Sequence, residues 1–486
     1  MPALLKVGVA LTVMAIVGGC FRPRRGDCLL RCSASSDCPG QMSCDSGLCT
    51  AGATCVPTVA AGETHSCAVL GPSLKCWGKN HAGQLGQGDR EARGDGAGEM
   101  GGDLPPVALG AGRYVPAKAA DGTSPLALGS GHTCVVLDDG KVKCWGDNSL
   151  GQLGLGDLRA RVDRSELGDA LPAVDLGRGR RVRSLAAGLY HTCALLEDRD
   201  IKCWGDNRFG QLGLGASGNR GGLPGEMGDN LASVNLGPVA SAWLLAAGAY
   251  HTCAGLVDGA VKCWGWNEYG QLGLGDGRPR GLSASEMGAA LAAVPLGKGR
   301  RVAGIAAGAY HTCALLDGQG DLKCWGYNGA GQLGRGSLSS KTPILTQSMG
   351  RAPFAAEDLV AVDLGPGRRA TAITAGASHG CALLDDHSVR CWGLNMSGQL
   401  GIGTTDNRGD QANEMGERLP AVALEGGGGL ALAVSAGADH TCAVRGLSVT
   451  CWGLNLYGRL GVGDTMARGD GHAPPAPVDL GTAPTP

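Results

Sequence analysis

Apolar residues in this chain come in short runs rather than long amphipathic spans. From about residue 58 onward, brief segments of Ala, Val, Leu and Cys are separated by Gly and Asp. One stretch shows the pattern: Ala173-Val174-Asp175-Leu176, then Val182 to Ala187, Thr192 to Leu196 and Ile201 to Trp204. Each reads as a short strand, with turn residues between. No long stretch carries a helical period. The apolar stretch from Leu231 to Tyr250 is broken by Asn235, Gly237 and Pro238 and reads as two strands joined by a turn.

The strand pattern repeats seven times. A typical copy runs Ala187-Gly188-Leu189-Tyr190-His191-Thr192-Cys193, then Lys202-Cys203-Trp204-Gly205-Asp206-Asn207, then Gly210-Gln211-Leu212-Gly213. Its Trp recurs at Trp77, Trp145, Trp204, Trp264, Trp325, Trp392 and Trp452, at spacings of 68, 59, 60, 61, 67 and 60. Seven units of four strands predict an all-β fold, a seven-bladed β-propeller of four-stranded antiparallel blades. A segment of the form Pro-Val-x-Leu-Gly precedes six of the seven His units, and a further copy stands alone at Pro477 to Gly481. This predicts that Val478 and Leu480 close the ring by pairing beside Val59 to Gly62, since an open strand edge would expose backbone donors and acceptors.

The His-Thr-x-Ala-Leu, Trp-Gly-x-Asn and Gly-Gln-Leu-Gly runs resemble the repeats of the regulator of chromosome condensation family, over roughly residues 58 to 481. The resemblance implies a seven-bladed propeller. It also implies a range of functions: a guanine-nucleotide exchange factor for the small GTPase Ran, and secreted or binding modules that include a bacterial inhibitor of β-lactamase. Fold alone does not choose among them.

The N-terminus adds an address. Lys6 precedes an apolar run from Val7 to Val17, too short to span a bilayer comfortably, and the run ends in Val17-Gly18-Gly19-Cys20. That resembles the box of bacterial lipoproteins, in which the Cys becomes acylated; an ordinary secretory signal is the alternative. The expected organisation is a lipoprotein signal peptide at 1–19, an anchor and Cys-rich spacer at 20–57, the propeller at 58–481 and a tail at 482–486. Arg22, Arg24 and Arg25 beside the anchor are either contacts to anionic head groups or solvated linker. The expected location is the bacterial cell envelope, lipid-anchored at the outer membrane or cell surface rather than the cytoplasmic membrane.

Composition narrows the classes further. The chain has 486 residues with 87 Gly but no Gly-X-Y period, which excludes collagen. A formal net charge of -2 gives no reason to expect nucleic acid as a partner. The 21 Cys divide into Cys20, six in the spacer and fourteen in the repeats. The spacer set is Cys28, Cys32, Cys38, Cys44, Cys49 and Cys55, enough for three disulfides of undetermined connectivity. The repeat set is Cys67 and Cys76, Cys134 and Cys144, Cys193 and Cys203, Cys253 and Cys263, Cys313 and Cys324, Cys381 and Cys391, and Cys442 and Cys451. Loop length varies between them while opposition is kept: Asp138-Asp139-Gly140 between one pair, Gly446-Leu447 between another. Directly opposed Cys on a hairpin can form a cross-strand disulfide, and an exported context preserves it. The rival, zinc, needs about four ligands, whereas each repeat offers two Cys and one His: His65, His132, His191, His251, His311, His379 or His440. These His read as structural, each bonding a neighbouring blade.

Candidate chemistry is sparse. Gly376-Ala377-Ser378-His379-Gly380 matches a nucleophile elbow, but a hairpin rather than a helix is expected after it. Repeated Glu-Met-Gly at Glu99, Glu226, Glu286 and Glu414, and Arg-Gly-Asp at Arg93, Arg408 and Arg468, read first as turn architecture. Extra length near Arg113 to Pro125 and Lys341 to Phe354 marks loops where specificity is expected. The expectation is therefore no catalytic residues, no cofactor and no metal. The leading function is a non-enzymatic, membrane-anchored, secreted-side protein-interaction propeller, scaffold-like or inhibitor-like, with an unknown protein partner. The alternatives are an exchange factor and an envelope hydrolase or carbohydrate-binding protein.

Overall fold

A computed structural model describes residues 57–116, 124–338, 359–424 and 430–481, and the backbone of two strands, Ser43–Asp45 and Leu48–Thr50. The chain divides into two compact units, one over Met1–Thr54 with Pro486 and one over Cys55–Thr485. In the first, the two strands pair antiparallel with Cys44 opposite Cys49. The signal segment, Cys20, Arg22, Arg24, Arg25, Cys28, Cys32, Cys38, Cys55 and the tail lie outside the described residues, as do residues 117–123 of the first insertion and the whole of the second, from Lys341 to Phe354.

The second unit holds seven sheets. In each, an inner strand pairs antiparallel with a middle strand, and the middle strand with a third. In the third blade these are Val182–Ala187, His191–Leu196 and Ile201–Gly205. Small side chains dominate the inner strands, where seven blades converge and space is least. The middle strands His191–Leu196, His251–Leu256, His311–Leu316 and His379–Leu384 are buried at every position, because each faces neighbouring blades on both sides. Such strands read as continuous apolar runs rather than alternating ones. The seven repeat Trp are 0–1 % exposed and fill the space between blades.

The fourth strand is where the expectation fails. The Pro-Val-x-Leu-Gly segments do not open the repeat that follows them; each forms the outer edge of the blade before it. Val107 donates its N–H to Leu74, Val174 to Val142, Val234 to Ile201, Val294 to Val261, Val362 to Leu322 and Val422 to Val389, all at 2.7–2.8 Å. The contact is mostly one such bond, so a full fourth strand appears only in the last blade, where Ala476–Pro477 pairs with Ser448–Gly453. Val478 accordingly bonds Val449 and not the first blade.

Among the described residues every blade is therefore contiguous in sequence, and none of their strands is exchanged to close the ring. Blade 7 meets blade 1 through the contacts used at the other seams. Ala438 donates its N–H to Gly62 at 3.2 Å, and the loop of the first repeat clasps the last edge strand, Gly101 N–H to Asp479 O at 2.9 Å. Lys75 Nζ adds bonds to Gly101 O and Leu480 O, both 2.8 Å.

The fourteen repeat Cys stand as seven directly opposed, disulfide-bonded pairs, from Cys67–Cys76 to Cys442–Cys451, with Cα atoms 4.1 Å apart. That short separation matches the closer of the two kinds of antiparallel pair.

Candidate functional site

The repeat motif is used up in holding blades together. Each Asn of Trp-Gly-x-Asn turns its own loop: Asn80 Oδ1 accepts from Leu85 N–H at 2.9 Å, and its Nδ2 donates to Asp89. The turn carries the Gln carbonyl to the next blade, where it accepts two bonds. Gln84 O takes Trp145 Nε1–H at 3.0 Å and Thr133 Oγ1–H at 2.8 Å. The second Gly of Gly-Gln-Leu-Gly must lack a side chain, since a Cβ at Gly86 would lie 2.7 Å from Trp145 Nε1, and its φ is +68°.

The seven His form a belt one layer further in. Nε2 of His65, His132, His191 and His251 bonds Thr133, Thr192, Thr252 and Thr312 of the next blade at 2.8–3.0 Å. His379 reaches Thr441 and His440 closes the circle on Ser66. Each hydroxyl has one proton, committed to the Gln or Arg459 carbonyl, so the imidazole must donate from Nε2. That leaves Nδ1 a bare, buried lone pair, and no described partner reaches it. A protonated ring has no acceptor there. Burial holds His65, His191, His251 and His379 at a pKa of about 3, and His132 and His311 at about 4. One link is missing: Gly380 replaces Thr opposite His311, whose two ring nitrogens are both unpartnered.

Other sequence candidates resolve the same way. Glu99 caps a turn, its Oε2 accepting from Gly94, Asp95 and Gly96 at 2.8–3.1 Å, and Glu286 and Glu414 repeat this. The Arg-Gly-Asp tripeptide is locked in place: Arg93 bridges Gly78 by backbone bonds and pairs with Asp89, and Gly94 packs on Gly458. Ser378 leads directly into the strand His379–Leu384, and the neighbouring His379 is spent on Thr441. No group of three or more His, Cys, Asp or Glu among the described residues could hold a metal ion.

What remains is one end of the ring. The strand ends that carry the belt His and the Trp-Gly-x-Asn loops also frame a cavity of 340 Å³ on the axis. Its wall is built from one Ala or Leu and one Gly per blade, from Ala61-Gly62 to Ala436-Gly437. The Gly is required at Gly188, Gly248, Gly308 and Gly376, where a Cβ would fall within 2.2 Å of the belt imidazole. Beside this mouth, over blades 3 to 5, lies an arc of six aromatic rings. Trp266 stacks on Phe209 at 5.6 Å and meets Tyr250, Tyr269 and Tyr310 edge-on at 5.1–6.0 Å, and Tyr269 continues to Tyr327 at 4.9 Å. None of the six is buried, and Tyr327 is 37 % exposed. Met396 and Leu456, at the same loop position in blades 6 and 7, are 75 % and 50 % exposed. The sequence reading missed this arc. Its signal was departure from the repeat: the residue after Trp-Gly is Lys79, Asp147 or Asp206 in the first three copies but Trp266 and Tyr327 in the next two.

This architecture defines a class, the propellers built from Trp-Gly repeats. The chain belongs to the RCC1 repeat family: the model of the RCC1-like domain matches residues 34–366, and models of the regulator of chromosome condensation (RCC1) repeat match 370–399 and 386–444. Among characterised relatives it is similar to the ultraviolet-B receptor UVR8 of Arabidopsis thaliana, 30 % identical over 84 % of this chain and 79 % of that protein. It is also similar to the probable E3 ubiquitin-protein ligase HERC4 of Mus musculus, 29 % identical over 69 % of this chain, but the match spans only 32 % of HERC4. Human WBSCR16 shares the fold with a TM-score of 0.55 at 19 % identity, over 84 % of this chain and 93 % of that one. Prp20p of Saccharomyces cerevisiae, a protein with binding properties to Gsp1p and histones, does so with a TM-score of 0.54 at 19 % identity, over 80 % and 82 %.

Proposed function

We propose that the chain is a non-enzymatic, membrane-anchored propeller of the bacterial cell envelope that docks a protein through its aromatic end. The observation that carries this reading is the six-ring arc beside the axial mouth. Large aromatic side chains held half-buried by one another form a rigid apolar surface with little entropy left to lose on binding, and Trp and Tyr dominate the energetics of protein interfaces. The blade seams are already filled by the core Trp. Relatives of this fold bind proteins, Prp20p among them. The anchor rests on Val17-Gly18-Gly19-Cys20, and seven cross-strand disulfides favour an oxidising compartment.

The test uses the full chain as bait against the envelope fraction. A protein captured by the wild type should be lost with Trp266→Ala and Tyr269→Ala together. Capture of the same protein by both baits would end the reading. Anchoring is tested separately: Cys20→Ala should release the protein from membranes, because multiple acyl chains bury many methylenes at about 0.8 kcal/mol each. Membrane retention of that variant without detergent would refute the anchor.

A further inference from the structure

The axial mouth differs from the arc beside it in one respect: its wall carries a single ionisable carboxylate. Glu63 lines the cavity among Ala and Gly, with Tyr310 also on the wall. Glu63 Oε2 is out of solvent and has no hydrogen-bond partner. Arg459 lies in its field without pairing to it. Arg459 spends its guanidinium on carbonyls, Nε on Leu456 O at 3.1 Å and Nη1 on Glu63 O at 3.3 Å, and forms no described ion pair with the Glu63 carboxylate. Asp439 stands in the same field. Burial raises its pKa, with Arg459 opposing and Glu63 adding to the rise. Arg459 thus stands near both carboxylates without a described ion pair to either, and Lys79, on the same blade as Glu63, lies against Tyr457.

Two rings at this end of the strands already carry cations. The Arg208 guanidinium sits 5.9 Å from the centre of the Tyr250 ring, and Lys79 Nζ lies 5.4 Å from that of Tyr457. Both are rim positions filled by the chain itself. The mouth offers a third such position, with the Glu63 carboxylate and Tyr310 on its wall and no cation among its lining residues. Apolar walls strengthen both attractions, since a charge-assisted bond and a cation–π contact gain when water is excluded.

We propose that the mouth receives one cationic side chain, a lysine or arginine of the docked protein, between Glu63 and Tyr310. This rests on reading the aromatic end as a protein-docking surface and adds the chemistry of the partner's central residue. A neutral sugar would donate hydroxyls to the carboxylate but leave its charge uncompensated. A metal ion lacks the ligands.

The full-chain protein is titrated with Nα-acetyl-lysine methylamide, and saturation transfer to the probe's ε-methylene protons is read by NMR. Strong transfer is expected from the wild type. It should fall at least ten-fold when the probe's amine is acetylated, and to the same extent in Glu63→Gln, which keeps the side-chain shape. Tyr310→Leu provides a second variant should Glu63→Gln fail to fold, with an expected drop of about three-fold. Equal transfer to the acetylated probe, or undiminished transfer in the folded variants, would overturn the inference. If Trp266→Ala with Tyr269→Ala loses the captured protein while Glu63→Gln loses neither it nor the probe, the cation inference falls and the docking surface stands.

Discussion

The two ends of the ring are built from the same strands and finished in opposite ways. At the hairpin end, charges neutralise one another. Arg113 pairs with Asp138 and Asp139, Arg180 with Asp198 and Asp200, Arg300 with Asp321, and Arg368 with Asp385 and Asp386. At the belt end, buried neutral His lie beneath an aromatic arc and a carboxylate without a partner. The belt-end loops also pair charges, as in Arg93–Asp89 and Arg280–Asp276, but leave the arc and Glu63 over. The belt end keeps contacts in reserve, which is what a docking surface requires. The lesson is that repetition marks what holds a propeller together, and broken repetition marks what it presents.

Acid should break this comparison most strongly. The belt His have folded-state pKa values of about 3 to 4 against 6.5 unfolded, so the unfolded chain binds more protons between those limits. Their stabilisation is complete above pH 6.5 and is lost as pH falls toward 4. Each His contributes a slope of about 1.4 kcal/mol per pH unit in that window. Carboxylates at the hairpin end act lower: Ser388 and Arg368 hold Asp386 below its ordinary 3.8, so its stabilisation is lost only below that value. Thermal midpoints should therefore drop steeply between pH 6.5 and 4.5, with hydrogen exchange rising first at Thr133, Thr192 and Thr252. A flat profile down to pH 4 would show the belt to be uncoupled from stability.

The disulfides lie between the two ends and should rank next. Each closes a loop of about ten residues, worth roughly 2–3 kcal/mol by the chain-entropy model. Cys253→Ala with Cys263→Ala should lower stability by that amount, and non-reduced digests should yield linked peptides such as Cys134–Cys144. Free thiols throughout protein taken from its own compartment would contradict the pairing. A smaller loss, about 1–3 kcal/mol, is expected of Thr252→Val, which strands His191 Nε2–H and leaves the Gln211 carbonyl with only its Trp264 donor. Thermal melts matching the wild type would argue that the belt bonds are dispensable.

Much of this was legible in the residues. Hairpin loops that change length while keeping Cys opposed, as at Asp138-Asp139-Gly140 and Gly446-Leu447, give the register of each blade. A His in every copy pointed to contact between neighbouring blades. The phase of the repeat was not legible. A circular array can be cut anywhere in its period, and Pro-Val-x-Leu-Gly looks alike whether it opens a blade or edges the one before. The bonds that join each such segment to the preceding blade, from Val107–Leu74 to Val478–Val449, decide it. The arc was hidden for a related reason: Phe209 and Tyr269 share one repeat position while Trp266 and Tyr310 take two others, across three repeats, and only the ring brings them together.

The smallest effect is expected at the hairpin end and sharpens the contrast most directly. Arg368 lies 2.9 Å from Asp386 and 3.5 Å from Asp385, but it is 39 % exposed and its partners nearly as much. Water screens such pairs, and ordering two long side chains opposes their attraction, so Arg368→Ala should cost no more than about 0.5–1 kcal/mol. The loss should shrink further in high salt, where surface charges are screened within a few ångströms. Capture of an envelope partner should be unchanged, because the altered residue lies at the other end of the strands from Trp266. A variant that folds normally but loses the partner would place docking on the hairpin end, and the division of labour between the two ends would have to be reversed.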